Sequence, residues 1–317
     1  MSILILVVGL AMLIAGAELL VRGGGALALA LKVPALIVGL TVVAFGTSAP
    51  ELAVSVSAAV GPDGATETAL ANITGSNIAN ILLVLGIAAL VRPLIVDRAL
   101  IKREIPALLL LQLLIPLMCL DGVINRWDGL LLLAVGVVYN GLLIRQALRN
   151  RSDALAEEAE HTDVIPTSPG SVALQVVMLV GGLTILVLGA TLFVDGAFDV
   201  ATSLGWSDRF IGLTVIALGT SAPEMVTGAI SAWRGETELA MGNSIGSNIL
   251  NISMVLAVTA LILPIQFEDQ KTWIDLLVAN GCTLLLVPLV LVTGRIGRVP
   301  GGIMIAAYIT YLVLSPS

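Results

Sequence analysis

One phrase of the sequence, GLTVVAFGTSAPEL at residues 39–52, is repeated as GLTVIALGTSAPEM at residues 212–225. The two copies are identical at eleven of fourteen positions. A second phrase follows each copy, ANITGSNIANI at 71–81 and GNSIGSNILNI at 242–252, with seven of eleven positions identical. Two phrases repeated at nearly the same offset, 173 and 171 residues, indicate an internal duplication. The chain is therefore predicted to consist of two related halves.

The composition is that of an integral membrane protein. The chain has 317 residues, of which 58% are hydrophobic and 12% charged, and its mean hydropathy is +1.06. A soluble domain carries about 25% charged residues. The 32 glycines suit closely packed membrane helices. The net charge of −7 comes largely from loops, so no nucleic-acid partner is expected, and the surrounding partner is membrane lipid.

Residues that hold metals or cofactors in most proteins are scarce. The single histidine, His161, lies in a polar loop, and Cys119 and Cys282 lie in separate apolar segments, where buried thiols are expected. No zinc site, haem or other prosthetic group is predicted. The N-terminus, MSILILVV, lacks the basic start of a signal peptide and is interpreted as part of a retained first helix.

Ten stretches are apolar over roughly the 20 residues that a membrane-spanning helix needs. They are residues 2–21, 35–60, 68–91, 104–120, 127–148, 172–194, 208–233, 237–263, 273–293 and 299–315. A polar stretch, 149–170, is predicted to be a cytoplasmic linker between a first repeat, 1–148, and a second repeat, 171–317. Its acidic run at 157–160 lacks the spacing of a calcium-binding loop.

The distribution of Lys and Arg predicts the orientation of these helices. With the N-terminus outside, the inside loops hold 12 of the 15 basic residues and the outside loops hold 3. Ten helices then place the C-terminus outside as well. Each half has five helices, so the second half enters the membrane from the opposite face and the two repeats are inverted. The predicted fold is an all-α membrane protein of two inverted five-helix repeats, an architecture typical of secondary transporters.

The repeated GTSAPE phrase predicts a break in each helix that contains it. Pro50 and Pro223 lack the N–H that would bond the carbonyl four residues earlier, and a glycine at that position weakens the helix further. We therefore expect unwound backbone near residues 44–47 and 217–220. Carbonyls freed in this way must face protein or a water-filled cavity, because lipid cannot bond them.

A glutamate follows each proline, Glu51 and Glu224, at equivalent points of two apolar helices. A carboxylate in mid-membrane costs a few kcal/mol, which a simple proline kink does not explain. Carboxylate, hydroxyl and carbonyl oxygens are hard ligands that suit Na⁺ or Ca²⁺ rather than soft metals. The phrase therefore predicts a cation site.

The second phrase adds amides and hydroxyls. Ser76 and Asn80 are four residues apart and lie on one helix face, as do Ser247 and Asn251. Hydrogen bonding between helices is the alternative role for these pairs. Inverted symmetry would place the two glutamates, and the two asparagines, opposite each other. Two glutamates would neutralise one Ca²⁺, and the same oxygens could instead hold several Na⁺, so that competition for shared ligands would produce antiport.

The neighbouring amides, Asn77 and Asn248, are rotated from the preceding serines by about 100°. They could cap a helix, bridge two helices or line the cavity.

The paired motifs, GTSAPE with GSNIAN and GTSAPE with GSNILN, resemble the two alpha-repeats of the sodium/calcium exchanger family, the Ca²⁺:cation antiporters, and most of all its compact prokaryotic members. The motifs cover 39–81 and 212–252, and the ten-helix layout extends the resemblance to the whole chain. The resemblance implies ion ligands at Thr47, Ser48, Glu51, Ser76, Asn80, Thr220, Ser221, Glu224, Ser247 and Asn251, with the carbonyls of Ala44 and Ala217 as further Na⁺ ligands. It also implies that the first and sixth helices slide across the core as a gating pair.

The sequence departs from the family pattern at Asn251, where close prokaryotic exchangers carry Asp. The linker is also too short for the large regulatory domain of animal exchangers. The predicted function is a Na⁺/Ca²⁺ antiporter, not an enzyme, that exports Ca²⁺ through the cytoplasmic (inner) membrane by alternating access.

Three alternatives remain at this point. The protein could be an exchanger that couples Ca²⁺ transport to H⁺ or K⁺ instead of Na⁺ alone. It could also be a cation channel, through which ions diffuse without exchange. An intramembrane hydrolase would need Ser48 or Ser221 as nucleophile, but GTSAPE is not GxSxG and the predicted spans contain no histidine to act as base.

Overall fold

The structure is a computed structural model that describes residues 2–61, 66–98, 100–159, 169–205, 217–266 and 270–314. Its helices are α1 Ser2–Leu31, α2 Ala35–Thr47, α3 Ala49–Val60, α4 Thr66–Val91, α5 Leu100–Asp121, α6 Arg126–Ala159, α7 Pro169–Ser203, α8 Ala217–Thr220, α9 Ala222–Arg234, α10 Thr237–Ile262, α11 Gln270–Thr293 and α12 Arg298–Leu314. Its two-residue strands are β1 Leu94–Ile95, β2 Val123–Ile124, β3 Ile265–Gln266 and β4 Arg295–Ile296.

Seven of the described helices are long and apolar enough to cross a membrane, or eight if the bent pair α2–α3 forms one span. This confirms a helical membrane protein. The tenth predicted span matches α12, which has 17 residues, near the shortest length that crosses a bilayer. The seventh predicted span starts at residue 208, outside the described residues, so the total of ten spans stays a prediction.

The predicted linker, 149–170, is helical at both ends. Helix α6 continues to Ala159 and α7 begins at Pro169, while residues 160–168 lie outside the described part of the chain. The apolar span within α6, Arg126–Arg149, agrees with the predicted fifth span, 127–148, and the helix continues beyond it. The reason is that Arg, Ala, Leu and Glu, which dominate this stretch, are strong helix formers that extend a helix after its apolar face has ended.

Helices α4 and α10 form the centre of the molecule. In each, 78% of the most apolar stretch is buried, compared with 28% in α1 and in α7. A helix buried on all sides is expected to be apolar all round. These two helices instead carry the repeated Gly-Ser-Asn phrases, so their polar side chains are enclosed by protein.

Glycines at heptad spacing hold α1 and α7 together. Gly9 and Gly16 of α1 and Gly182 and Gly189 of α7 each place their backbone against the partner helix; a Cβ added at Gly16 would lie 2.4 Å from the nitrogen of Leu186. Residue numbers rise along α1 as they fall along α7, so the helices are antiparallel. A repeat of seven residues keeps such a seam facing the partner along its length.

The expected unwinding at residues 44–47 and 217–220 is wrong in its position. Ala44–Thr47 and Ala217–Thr220 are helical turns, and the break follows them at Ser48 and at Ser221. The Ser48 amide still donates to the carbonyl of Ala44 over 3.0 Å, so the helix bends by 40° without unwinding. The proline acts here as a first-turn residue of the next helix, where its missing N–H costs little.

Two small sheets join loops that are far apart in sequence. Strand β1 pairs with β4 in antiparallel fashion, with Leu94 opposite Ile296, and β2 pairs with β3, with Ile124 opposite Ile265. Each sheet therefore connects a loop of the first half to a loop of the second half.

Candidate cation-binding site

The twelve predicted site residues occupy two equivalent sets of elements. Helix α2, the first break and α3 carry Ala44, Thr47, Ser48 and Glu51; α4 carries Ser76 and Asn80; α8, the second break and α9 carry Ala217, Thr220, Ser221 and Glu224; α10 carries Ser247 and Asn251.

The two glutamates come together from the two halves of the chain. Glu51 and Glu224 lie in the first turns of α3 and α9, and both are fully buried. They are close enough for their charges to repel each other. The positive end of each helix dipole offsets part of the cost of a buried carboxylate, but it cannot neutralise two of them.

Each helix break carries a buried serine. Ser48 has φ −82° and ψ 4°, and Ser221 has φ −87° and ψ 3°. This sparsely populated backbone region often holds active-site residues. Both hydroxyls are buried, and neither has a hydrogen-bond partner among the described residues.

The two threonines are placed differently. The Thr47 hydroxyl donates to Oδ1 of Asn243 over 3.0 Å, lies 3.3 Å from the hydroxyl of Ser247 and lies 3.4 Å from the carbonyl of Ala44. Thr47 is fully buried, whereas Thr220 is partly exposed. The described residues therefore enclose the first-half threonine more completely than its counterpart.

Both site asparagines begin a π-helical turn, Asn80–Val84 in α4 and Asn251–Leu256 in α10. Such turns are rare and recur at functional sites. Oδ1 of Asn80 and Oδ1 of Asn251 are buried without a hydrogen-bond donor among the described residues. The remaining predicted member, Ser76, donates a long bond of 3.5 Å to Oε1 of Glu51.

Several buried oxygens around the glutamates lack a hydrogen-bond donor in the described structure. The unpaired atoms are Oε2 of Glu51, both carboxylate oxygens of Glu224, the hydroxyls of Ser48 and Ser221, and Oδ1 of Asn80 and of Asn251. A buried polar atom without a partner costs about 1–3 kcal/mol, and more when it is charged. A bound cation would satisfy acceptors of this kind, and their chemistry suits Na⁺ or Ca²⁺.

Some buried polar residues near the site were missed by the sequence analysis. Asn243 accepts the Thr47 bond, and its signal was its identity with Asn72 in the second repeated phrase. Thr227 and Ser231 follow Glu224 at three and seven residues, on the same helix face, and are fully buried. Helical spacing could have indicated both.

A cavity away from these residues is unsuited to a cation. It measures about 730 Å³ and lies between the start of α5 and the later part of α6. Three arginines line it, Arg103, Arg145 and Arg149, and its carboxylate, Glu104, is bonded to the Tyr139 hydroxyl. Like-charge repulsion would disfavour a cation there.

Comparison with known proteins identifies the family. The sequence profile described as "Sodium/calcium exchanger protein" matches residues 1–145 and 174–315. The chain belongs to the sodium/calcium exchanger family. Membership confirms the resemblance stated from the repeated motifs, and it confirms a membrane transporter rather than an enzyme.

Several individual proteins match along most of this chain. The CaxA protein of Alkalimonas amylolytica is 40% identical over 310 residues, which are 97% of this chain and 96% of CaxA. The inner membrane protein YrbG of Escherichia coli is 37% identical over 269 residues, 83% of this chain and 81% of YrbG. A structure of the sodium-calcium exchanger NCX_Mj superimposes with a TM-score of 0.85 at 32% identity and covers 100% of this chain and 99% of that one.

Proposed function

We propose that this exchanger carries Ca²⁺ and Na⁺ in opposite directions through the site formed by Glu51, Glu224 and the surrounding oxygens. The observation that carries the proposal is the pair of fully buried carboxylates, one from each half, among acceptor oxygens that lack donors in the described structure. The names of the family and of NCX_Mj, both of which refer to sodium and calcium, support these ions as the cargo.

Charge explains how two ions can exchange at one site. Two glutamates supply a charge of −2, so one Ca²⁺ neutralises the site and three Na⁺ leave it at +1. Ca²⁺ prefers six to eight oxygens and bidentate carboxylates. The carboxylates are therefore proposed as the main Ca²⁺ ligands, with Asn80 and Asn251 as neutral ligands. The hydroxyls of Thr47, Ser48, Ser76, Thr220, Ser221 and Ser247 and the carbonyls of Ala44 and Ala217 would complete Na⁺ sites that share oxygens with Ca²⁺.

The proposed architecture is ten spans in two inverted repeats, 1–148 and 171–317, joined by the 149–170 segment. Three features support it. Helices α1 and α7, at equivalent places of the two halves, run antiparallel. The β1–β4 and β2–β3 pairs each need two loops on one membrane face, and the ten-span topology puts β1 and β4 inside and β2 and β3 outside.

Alternating access is proposed to come from the α1–α7 pair. The two helices are joined along their length by close backbone contacts at glycines, so they would move as one body. The site helices α4 and α10 are buried at the centre and would stay fixed. Sliding of the pair past the site would open it to one face at a time.

The proposed location of this protein is the cytoplasmic membrane, because its relative YrbG is an inner membrane protein. Both termini of this protein are proposed to lie outside.

The proposed orientation can be tested with alkaline phosphatase, which is active only outside the cytoplasm. A fusion after Ser317 is expected to be active, and a fusion after Glu158 is expected to be inactive. The reverse pattern in matched expression levels would overturn the orientation drawn from the 12-to-3 distribution of basic residues.

The experiment that tests the function is ⁴⁵Ca²⁺ uptake by Na⁺-loaded proteoliposomes that contain the purified full-length chain. Uptake is expected to require internal Na⁺, to saturate with Ca²⁺ and to stop when the Na⁺ gradient is removed. A K⁺ or H⁺ gradient, imposed separately, is expected to change nothing. Uptake driven by either of those gradients alone would replace Na⁺ as the counter-ion, and flux that does not saturate would indicate a channel.

A further inference from the structure

Four asparagines, two of them predicted site residues, form a hydrogen-bond network between α4 and α10. Nδ2 of Asn248 donates to the backbone carbonyl of Asn77 over 3.1 Å, and Nδ2 of Asn80 donates to Oδ1 of Asn248 over 2.9 Å. Across the same interface, Nδ2 of Asn251 donates to Oδ1 of Asn77 over 3.1 Å. All four residues are at most 2% exposed.

The network fixes which way the Asn80 amide points. A backbone carbonyl can only accept, so the atom of Asn248 that faces the carbonyl of Asn77 must be its NH₂ group. The other amide atom of Asn248 is then its oxygen, which must face a donor. Asn80 can meet it only with its own NH₂ group, so Oδ1 of Asn80 is turned away from Asn248 and is buried without a donor in the described structure.

A comparable side-chain bond, with the roles of the two halves exchanged, is made by Asn251. Asn77, from the first half, accepts the NH₂ group of Asn251, and Oδ1 of Asn251 is left buried and unpaired among the described residues. Each half therefore supplies one amide ligand and the acceptor that orients the ligand of the other half.

We propose that Asn77 and Asn248 are positioning residues that hold the amide oxygens of Asn251 and Asn80 toward the cation. The inference rests on the proposed function. An amide turned by 180° would present NH₂, a donor, to a positive ion, so the orienting bond decides whether the group attracts or repels the cargo. Residues that orient metal ligands typically change metal affinity by 10–100-fold when they are replaced.

The first test is the variant Asn248→Leu, which keeps the side-chain size but removes both bonds. Purified protein is titrated with Ca²⁺, and the ion-dependent rise in melting temperature gives an affinity without any transport step. We expect the apparent Ca²⁺ affinity to fall by roughly tenfold or more, with maximal uptake rates changed less than the half-saturating Ca²⁺ concentration. Asn77→Leu tests the other half in the same way, so poor folding of one variant does not prevent the test.

A matched control and a double variant separate positioning from general stability. Thr283→Val removes a fully buried hydroxyl that bonds the Ala279 carbonyl on α11, and it is expected to leave Ca²⁺ affinity unchanged. In an Asn80→Asp background, residue 80 presents a carboxylate oxygen to the ion in either orientation, and it can no longer donate NH₂ to Asn248. Adding Asn248→Leu to the Asn80→Asp protein is expected to lower its apparent Ca²⁺ affinity only slightly or to raise it.

Three outcomes would overturn the proposal. Unchanged Ca²⁺ affinity in folded Asn248→Leu and Asn77→Leu proteins would show that the amides need no orientation. An equal loss in the wild-type and Asn80→Asp backgrounds would show that Asn248 acts only on stability. A wild-type protein whose melting temperature does not respond to Ca²⁺ would overturn the proposed function and this inference together, whereas a normal wild-type response confines any failure to the positioning role.

Discussion

Replacement of either site glutamate, as Glu51→Gln or Glu224→Gln, is expected to reduce Na⁺-dependent Ca²⁺ uptake to background while the protein still folds. Each change removes half of the formal charge of the site and keeps the shape of the side chain. Both carboxylates are fully buried, and glutamine puts no charge in their place, so the substitution is expected not to destabilise the ion-free protein. Ca²⁺, which depends on carboxylates more than on neutral oxygens, loses one of its two charged ligands.

The matched control is Glu104→Gln. Glu104 is also a buried glutamate, at 3% exposure, in a membrane helix, but it bonds the Tyr139 hydroxyl away from the site. The glutamine oxygen can accept the same hydroxyl, so this variant is expected to transport at close to the wild-type rate. Wild-type uptake in either site variant would show that Ca²⁺ binds elsewhere. Equal loss in the control would mean that any buried glutamate is needed for folding.

The second large effect is expected at a pair of adjacent glycines in α7. Gly182→Ala would place a Cβ 2.6 Å from the nitrogen of Leu20 on α1, which neither backbone can accommodate without moving. Gly181→Ala would add a Cβ with no atom of the described residues within 4 Å. The two substitutions therefore differ only in the side of the helix on which the methyl group stands.

The two substitutions are expected to change the stability of the protein in opposite directions. Alanine in a helix is favoured over glycine by about 1 kcal/mol, so Gly181→Ala should raise the melting temperature slightly and preserve uptake. Gly182→Ala should lose about 1–3 kcal/mol through overpacking and reduce uptake at least tenfold, because the α1–α7 seam can no longer close. Thermal unfolding in detergent and ⁴⁵Ca²⁺ uptake measure both. Normal uptake by Gly182→Ala would show that transport does not depend on the closed seam.

Much of the fold could be predicted because the sequence contains the same motifs in both halves. Composition indicated the membrane, and the repeated phrases indicated the glutamates, serines and asparagines. A further repeat went unused: Gly9, Gly16 and Gly23 recur as Gly182, Gly189 and Gly196 at the same offset of 173 residues as the first phrase. That spacing would have predicted the contact between α1 and α7, because glycines seven residues apart form one seam along a helix.

The position of each helix break could not be predicted from the sequence. Pro50 indicated a disturbance near residues 44–47, but whether a proline unwinds the preceding turn or begins a new helix depends on the packing around it. In the folded chain the bend falls at Ser48, and the Ala44 carbonyl keeps its bond to the Ser48 amide. Helix ends are decided by such local hydrogen bonds, which single-residue propensities do not fix.

The sequence by itself determined the class of protein, the duplication and the residue types of the site, because hydropathy, repetition and charge are properties of the chain before it folds. Only the tertiary structure decided which residues meet across the two halves. Asn251 bonds Asn77, and Thr47 bonds Asn243, across separations of 174 and 196 residues. Such partners depend on the relative rotation of α4, α2 and α10, which is set by the packing of their buried faces and not by any spacing along the chain.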